Sequence, residues 1–295
     1  MIKLILQGGL GNQMFEYATA YALAKDRHAS LVLDTSFFDV FGKRSWCRPY
    51  ELSVFDLHTS AAFSHNQHIA VRVLPHLRKW CRAHNTRYIG RYVFEMKTPQ
   101  AVPSYRSLVL FDYFADYRLF ESARTELLKA FTFKDQPNAS NAALLQEMNL
   151  CESVAVHIRR GDYMSEAYKN IFFHPSVQWY RKAMDEIKKS VPKPTYYFFS
   201  DDIQWVKEQF AEVKNAVFVD VNHGKDSYND MRLMSACKHN IIANSSFSWW
   251  AAWLNKNPKK LIIAPSKYYM DVTRAEEYRK KMIPKGWITI ECEIC

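Results

Sequence analysis

From residue 153 onward, short apolar strands alternate with helices, and this alternation constrains the fold more than any other feature of the chain. The predicted strands are residues 154–158, 195–199, 216–219, 241–243 and 261–264. The predicted helices between them are residues 174–189, 203–210, 229–237 and 247–254. A strand–helix–strand repeat makes neighbouring strands parallel, so the sequence predicts an α/β fold with a doubly wound parallel sheet.

The first part of the chain begins with a unit of the same kind. Its predicted strands and helices are residues 4–6, 14–27, 31–33 and 117–131. With 295 residues the chain is long enough for two domains, and residues 135–141 are the best candidate for the linker. We therefore expect one Rossmann-like domain over residues 1–140 and another over residues 141–295.

Polar residues follow the predicted strands of the second half at the point where each strand ends. These exits are His157, Arg159 and Arg160 after the first strand, residues 200–202 after the second, residues 220–224 after the third and residues 244–246 after the fourth. The carboxyl ends of parallel strands share one edge, which is where such sheets bind ligands. A purely structural sheet could place charge equally well at the strand starts, so four polar exits predict a ligand site.

The exit residues suit the parts of a nucleotide sugar. The guanidinium of Arg159 is a fixed fork that binds phosphate oxygens, and Gly161 lets the backbone turn sharply or come close to a ligand. Ser245, Ser246 and the N–H of Phe247, at a helix start, can add neutral donors to the same phosphates.

The remaining polar residues suit the nucleoside. His157 can hydrogen-bond a base or a sugar edge, and Asp230 can accept the paired N1–H and N2–H of guanine. Asp201 or Asp202 can bind the ribose or the ring edge. The aspartates are not arranged in the Asp-x-Asp pattern of metal-dependent transferases, which weakly favours a site without a metal.

Structural alternatives stay open for several of these residues. The arginine pair could bridge to Asp162 and cap a sheet edge, and Asp230 could be a helix-start carboxylate that the dipole favours. The Arg-Gly-Asp triplet of an adhesion loop is disfavoured, because we find no export signal. The three tryptophans of the last predicted helix are assigned to the core rather than to a sugar platform. They are Trp249, Trp250 and Trp253.

The turn after the first strand is rich in glycine, but it lacks the dinucleotide-binding pattern. Gly9 and Gly11 supply the first two glycines, whereas Met14 occupies the third position. Such a turn is commonly only a tight connection. The amides of Asn12 and Gln13 favour a polar ligand at the helix N-terminus.

Composition limits the partners and the compartment. The net charge of +10 and the pI of about 9.2 indicate an anionic partner such as a nucleotide, a nucleic acid or a membrane surface. We find no apolar run approaching roughly 20 residues and no signal-peptide layout, so we expect a cytoplasmic protein, with peripheral contact at the inner membrane left open. The six cysteines are scattered, as free thiols would be, and the pair Cys292 and Cys295 has no second pair to complete a zinc site.

Residues 35–106 have poor periodicity, and within them residues 72–91 combine arginines with apolar residues. This segment is partly typical of a basic amphipathic helix. It is either a solvated basic face, which we favour, or a contact for anionic lipid or a lipid-linked acceptor.

Three motifs in this order resemble those of the bacterial α-1,2-fucosyltransferases, glycosyltransferase family 11. They are Gly8-Gly-Leu-Gly-Asn-Gln13, His157-Ile-Arg-Arg-Gly-Asp-Tyr163, and Asp230-Met followed by Ile241-Ile-Ala-Asn-Ser-Ser-Phe-Ser-Trp-Trp250. The resemblance spans nearly the whole chain. It implies a GT-B fold, in which two Rossmann-like domains face a central cleft.

The resemblance also implies a reaction. L-Fucose would pass from GDP-β-L-fucose, with inversion, to the 2-hydroxyl of a terminal galactose on an oligosaccharide or surface glycan. No metal, cofactor or nucleic-acid partner is expected. The C-terminal domain would hold the donor, and the N-terminal domain would hold the acceptor.

Carried over residue by residue, the resemblance places His157 and Asp230 at guanine, Arg159 at the β-phosphate, Ser246 at the phosphates and Asn12 facing the sugar. It also implies that Arg160 points inward to a structural carboxylate. We therefore predict Arg159 and Asn12 as the catalytic residues. The predicted donor-binding residues are His157, Arg159, Asp162, Tyr163, Asp201, Asp202, Asp230, Ser245, Ser246, Phe247, Gly9, Gly11 and Gln13.

Two other functions stay open at this stage. A GT-B transferase could use a different nucleotide sugar, since phosphate-binding arginines do not identify the sugar. A basic nucleic-acid-binding protein is the less favoured alternative, because clustered basic and aromatic motifs are missing from the sequence. The sequence singles out neither the general base nor the acceptor glycan.

Overall fold

The computed structural model describes residues 1–44, 47–57, 62–64, 68–166 and 168–291. The side chains of residues 62–64, 68–70, 162 and 164 lie outside this description, as does the Cys-x-x-Cys pair at the C-terminal end. Contacts divide the chain into two compact units, Met1–Lys134 and Asp135–Cys295. The described cysteines are free thiols.

The N-terminal unit contains one mixed sheet with helices. Its strands are β1 (Ile2–Ile5), β2 (Leu31–Asp34), β3 (Ala62–Ser64), β4 (Tyr88–Ile89), β5 (Tyr92–Val93) and β6 (Leu108–Leu110). Its helices are α1 (Leu10–Asp26), α2 (Ser36–Phe41), α3 (His68–Ala83) and α4 (Arg124–Ala130). The strand order is β3-β2-β1-β6-β5-β4, and the pairs are parallel except for β4 with β5.

Strand β1 lies between β2 and β6, so strands are added to one side of β1 first and to its other side later in the chain. Ile2 pairs with Leu31 on one side and with Leu108 on the other. All four residues of β1 are buried, as expected for a central parallel strand covered on both faces. The reversal creates a switch point at the carboxyl ends of β1 and β6, where ligands bind in sheets of this kind.

The predicted helix over residues 117–131 is only partly helical. The α-helix is confined to Arg124–Ala130, and two short 3-10 turns, Tyr117–Leu119 and Glu121–Ala123, precede it. The carboxylate of Asp116 accepts the N–H of Arg118 and binds its guanidinium, which stabilises the first turn. The prediction was wrong over the first half of this segment, because local side-chain bonds favoured a turn.

The C-terminal unit contains a parallel sheet. Its strands are β7 (Glu152–Ile158), β8 (Pro194–Ser200), β9 (Ala216–Phe218), β10 (His239–Ile241), β11 (Ile262–Pro265) and β12 (Ile288–Ile290). Its helices are α5 (Ala139–Leu150), α6 (Val177–Lys188), α7 (Ile203–Gln209), α8 (Tyr228–Ala236), α9 (Ser246–Leu254) and α10 (Val272–Met282). The order β12-β11-β10-β7-β8-β9 is doubly wound about β7, as predicted.

The boundary between the units lies at the start of the predicted linker rather than after residue 140. The second unit begins at Asp135, and α5 already starts at Ala139. The side chain of Asn138 accepts the N–H of Asn141 and caps this helix. The last residues of the predicted linker are therefore helical.

The tryptophans of α9 belong to the core of the C-terminal unit, as predicted. Trp249, Trp250 and Trp253 are each no more than 1% exposed, and their rings pack against one another. The indole N–H of Trp249 donates to the carbonyl oxygen of Met282, which satisfies a buried donor. This packing fixes α9, and with it the loop after β10.

Among the described residues, no helix combines the length and the apolar character needed to cross a bilayer.

Candidate functional site

The candidate site lies at the carboxyl ends of β7, β8 and β10 in the C-terminal unit. Strand β7 is flanked by β8 and β10, so the direction of strand succession reverses beside it. Ile158 pairs with Ser200, which brings the residues after β7 next to those after β8. The predicted exit residues of three strands therefore meet at one switch point.

Arg159 is held between a carboxylate and an aromatic ring. One of its terminal nitrogens, Nη1, lies 2.8 Å from Oδ2 of Asp201, and its guanidinium carbon lies 5.7 Å from the centroid of the Tyr163 ring. The Asp201 carboxylate also accepts the backbone N–H of Arg160 at 2.9 Å. With 22% of its side chain exposed, the Arg159 guanidinium remains accessible to a ligand.

Gly161 leaves room for the Asp201 carboxylate. A Cβ atom added to Gly161 would lie 2.2 Å from Oδ2 of Asp201, so this carboxylate would have to move. The close approach predicted for this glycine is thus made by a carboxylate of the chain itself. The glycine preserves the ion pair that orients Arg159.

Arg160 belongs to a second ion pair, which anchors α7. Its Nε donates to Oδ2 of Asp202 at 3.0 Å, and its guanidinium carbon lies 3.8 Å from the centroid of a Trp205 ring. The other oxygen of Asp202 accepts the N–H of Trp205 and caps the helix. Both aspartates after β8 therefore hold the arginines after β7, and their predicted contact with a ribose remains a prediction.

His157 is a buried and neutral imidazole at the end of β7. Only 6% of the residue is exposed, and burial, assisted by the charge of Arg159, lowers the pKa of His157 to about 3. The ring lies 6.0 Å from that of Phe247, at the start of α9. Its Nδ1 has no hydrogen-bond partner among the described residues, so it can serve a ligand.

Asp230, in the first turn of α8, is held by a chain of amides. The Asn222 side-chain amide donates to Oδ1 of Asp230 at 2.8 Å, and it exchanges two hydrogen bonds with Asn141 of α5. Burial raises the pKa of Asp230 to about 7, against the opposing effect of the Asn222 hydrogen bond. The carboxylate is therefore poised to change charge near neutral pH.

Asn141 and Asn222 position Asp230, and neither was predicted from the sequence. Asn222 falls within the predicted exit at residues 220–224, which gave a weak signal. Asn141 stands 81 positions earlier in the chain, within the segment predicted as a linker, and gave none.

The start of α9 is pre-formed by its own cap. Ser245 Oγ accepts the backbone N–H of Phe247 at 3.3 Å. This N–H, which was predicted to bind phosphate, therefore already has a partner within the chain. Ser246 opens the helix and is partly exposed. The predicted phosphate donors thus lie together at a helix N-terminus.

Tyr163 ties the loops around the site together. Its hydroxyl donates to the carbonyl oxygen of Asn244 at 3.1 Å and lies 3.0 Å from the hydroxyl of Tyr268. Its ring stacks on that of Phe172 at 4.4 Å. Asp162 lies in the same turn, but its side chain is outside the described residues, so the predicted role and the alternative bridge both remain predictions.

The glycine turn of the N-terminal unit is braced by its own side chains. Gly8 has a φ of +72°, in the left-handed region that favours glycine, and Gly9 caps α1 through its backbone. The buried amide of Gln13 donates to the carbonyl oxygens of Gly8 and Pro49, and accepts the N–H of Glu51. Gln13 therefore shapes the turn.

A carboxylate already occupies the start of α1. Oε2 of Glu51 accepts the N–H of Leu10 at 2.7 Å, which opposes an additional anion at this helix end. Gly11 is buried in the first turn of α1, whereas Asn12 is half-buried. Of the residues predicted in this turn, Asn12 is thus the amide that remains partly accessible.

The chain is similar in sequence to known glycosyltransferases. The sequence profile described as glycosyl transferase family 11 matches residues 1–291. An Escherichia coli protein named O-antigen biosynthesis glycosyltransferase WbnK is 32% identical over 97% of the chain and 99% of its own length. An α-1,2-colitosyltransferase from Escherichia coli is 31% identical over 97% of each chain. The galactoside 2-α-L-fucosyltransferase Sec1 of Mus musculus is 26% identical over 86% of the chain and 64% of its own length.

Solved structures support the same fold. The fucosyltransferase NodZ from Bradyrhizobium has a TM-score of 0.58 at 15% identity, over 85% of the chain and 91% of its own. A structure of NodZ α-1,6-fucosyltransferase co-crystallised with GDP has a TM-score of 0.54 at 14% identity, with the same coverage. Likeness at this level of identity concerns the fold, which is of the GT-B type.

Proposed function

The chain belongs to glycosyl transferase family 11, and from that premise we propose that it transfers L-fucose from GDP-β-L-fucose to the 2-hydroxyl of a terminal galactose. The observation that carries this proposal is the accessible Arg159 guanidinium at the switch point of the C-terminal sheet. A relative named for galactoside 2-α-L-fucosyl transfer and a similar fold crystallised with GDP support the sugar and the nucleotide.

The reaction needs negative charge to be neutralised on the leaving group. The acceptor oxygen forms a bond to C1 of fucose, while the bond from C1 to the β-phosphate oxygen breaks and its electron pair leaves with GDP. Attack from the face opposite the diphosphate inverts the β-linkage to α, and the hydroxyl proton passes to a base or to solvent. Arg159 stabilises the charge that grows on the diphosphate, and the start of α9, with Ser246, adds dipolar stabilisation.

The other residues of the site hold the nucleoside. Neutral His157 offers a ring nitrogen to guanine, and ionised Asp230 accepts the N1–H and N2–H of the base. Asn222 and Asn141 keep the Asp230 carboxylate in place. Asn12, on the N-terminal unit, is proposed to meet the fucosyl group or the acceptor.

Metal-free transfer is part of the same proposal. Asp201 and Asp202, the two carboxylates that follow β8, are each paired with an arginine. The accessible guanidinium of Arg159 is proposed to take the place that a divalent cation would fill. A chelator is therefore expected to leave the rate unchanged.

A second candidate function differs only in the sugar. A relative at 31% identity is named for colitose, which is L-fucose without its 3-hydroxyl group. We therefore keep transfer of a 3-deoxy sugar as the alternative, since the residues assigned to guanine and phosphate would serve either donor.

Nucleotide competition tests the donor assignment. We expect GDP to raise the melting temperature and to inhibit transfer, whereas UDP at the same concentration does neither, because uracil lacks the 2-amino donor that faces Asp230. Equal protection by UDP would contradict a guanine site. Rates with GDP-fucose and with GDP-colitose then separate the two candidate sugars.

A further inference from the structure

A pocket of about 360 Å³ lies within the N-terminal unit. Gln7, which follows β1, and Tyr113, which follows β6, form part of its lining, so it lies at the switch point of this sheet. Side chains of α2 and α3 complete it. Its volume falls at the lower end of the roughly 300–1,000 Å³ typical of ligand pockets, which suits one or two sugar rings.

Aromatic side chains form the walls of this pocket. Phe37 and Phe41 of α2 line it, together with Tyr113. Aromatic faces suit the apolar faces of pyranose rings, as they do other apolar surfaces. The walls therefore favour a sugar ring but do not by themselves select its substituents.

Gln7, one of the lining residues, has a buried amide nitrogen without a partner among the described residues. The residue is 1% exposed, and its amide oxygen accepts a hydrogen bond from Nη1 of Arg78 at 3.1 Å. Because a guanidinium can only donate, Arg78 fixes the amide orientation and directs the amide NH₂ elsewhere. A buried donor without a partner is costly, so an oxygen atom of a ligand would stabilise it.

The charge of the lining is positive. Arg72 and Arg78 of α3 line the pocket, and among the described residues no aspartate or glutamate does so. Arg78 lies 3.4 Å from Asp112, but that carboxylate accepts two shorter bonds, of 3.0 Å and 2.7 Å, from Arg82. Its charge is thus already balanced outside the pocket. Arg72 is exposed and has no ion pair within the described part of the chain.

We propose that this pocket binds the acceptor glycan through an anionic group, a carboxylate or a phosphate, carried on a sugar ring. The aromatic walls hold the ring, while the Gln7 amide and Arg72 and Arg78 bind the anionic oxygens. This inference rests on the proposed function and deepens it, because it names the chemical class of the acceptor. Anionic acceptors are then preferred over neutral galactosides of the same size.

The test compares three acceptors with GDP-fucose as donor. They are lactose, lactose 1-phosphate and the disaccharide β-galactosyl-(1→4)-glucuronic acid. We expect kcat/KM to be about tenfold or more higher for an anionic acceptor than for lactose, as one charge-assisted hydrogen bond provides. The acceptor with the greater gain identifies phosphate or carboxylate as the source of the charge.

Two variants of α3 provide a matched comparison. Arg72→Ala removes a cation from the lining, and Lys79→Ala removes one from the exposed surface of the same helix. We expect Arg72→Ala to lower kcat/KM for the preferred anionic acceptor about tenfold and so to remove most of its preference over lactose. Lys79→Ala should leave the preference intact. Arg72 is the residue of choice because Arg78 also packs on Phe111 and holds Gln7.

Three results would overturn the inference. Equal kcat/KM for the three acceptors would remove its basis, and an equal loss of preference in both variants would assign it to general surface charge. The third result is a lack of binding, and it matters if no galactoside is fucosylated. In that case the proposed function fails, and the pocket has to be tested separately. The pocket is then judged by calorimetry with lactose 1-phosphate, where binding weakened about tenfold by Arg72→Ala supports it and no binding overturns it.

Discussion

At the scale of single residues, Arg159 supplies the charge that the proposed reaction needs. We expect Arg159→Ala to lower turnover by about a hundredfold or more, comparable to the loss of one oxyanion donor. Arg159→Lys should recover only part of the rate, because an ammonium lacks the planar fork. Turnover is measured with GDP-fucose and an acceptor at saturation.

Arg181→Ala is the matched control for this substitution. Arg181 is an exposed arginine of the same unit, paired with Glu212 at 2.7 Å. Its loss should leave turnover within about twofold of the parent. Near-normal turnover in an Arg159→Ala protein with an unchanged melting temperature would remove Arg159 from the mechanism.

The ionisation of Asp230 should determine how donor affinity depends on pH. The carboxylate accepts guanine N–H groups only when ionised, and burial raises the pKa of Asp230 to about 7. Below that pH the protonated form dominates, so affinity should fall about tenfold per pH unit, whereas above it affinity should be constant. Calorimetry with GDP-fucose between about pH 5.5 and about pH 8.5 measures this slope.

The choice of ligand and variant isolates Asp230. GDP-fucose serves better than GDP, because a terminal phosphate itself titrates near pH 6. Asp230→Asn keeps the shape of the side chain but cannot ionise, so its affinity should be weak and independent of pH. His157 should not contribute, since its pKa of about 3 lies below the range studied. An unchanged slope in Asp230→Asn would exclude the guanine contact.

At the scale of elements, helix α3 exposes both apolar and cationic side chains. Val73 and Trp80 are about half exposed, and Lys79 is also exposed. Exposed apolar and cationic side chains on one helix suit the interface of an anionic membrane. We propose a peripheral membrane contact through these side chains, in place of the purely solvated face that the sequence favoured.

Vesicle sedimentation tests this contact. Binding to phosphatidylglycerol vesicles should weaken with salt and fall about fivefold or more in Lys79→Glu, as loss of one basic residue predicts. Lys188→Glu, an exposed lysine of α6, is the control and should have little effect. Binding that is absent, or equal for neutral phosphatidylcholine, would restore the solvated-face interpretation.

Element prediction succeeded where periodicity was strong and failed where strands were short. In the C-terminal unit the apolar runs of β7 and β8 and the helices between strands were predicted, whereas α5, α10 and β12 were not. In the N-terminal unit, β4 and β5 have two residues each, too few for any period to appear. Residues 88–91, the end of the segment predicted as partly typical of a basic amphipathic helix, belong to this hairpin instead.

Long-range contacts explain why part of each site escaped prediction. The strand exits of the C-terminal sheet could be placed on one edge, because parallel strands end together. The bond between Arg78 and Gln7 joins residues 71 positions apart, and no local pattern marks either partner. The amide chain to Asp230 is hidden for the same reason.

At the scale of the whole molecule, family membership and fold define a glycosyltransferase, and the reaction itself is the remaining claim. The direct measurement incubates the full chain with GDP-fucose and lactose in the presence of EDTA, and the product linkage is read by NMR. We predict a fucosyl group in α-linkage to the 2-hydroxyl of galactose, formed at a rate that the chelator leaves unchanged. No GDP binding and no transfer to lactose or to the anionic galactosides, or a product with retained β-configuration, would contradict the account.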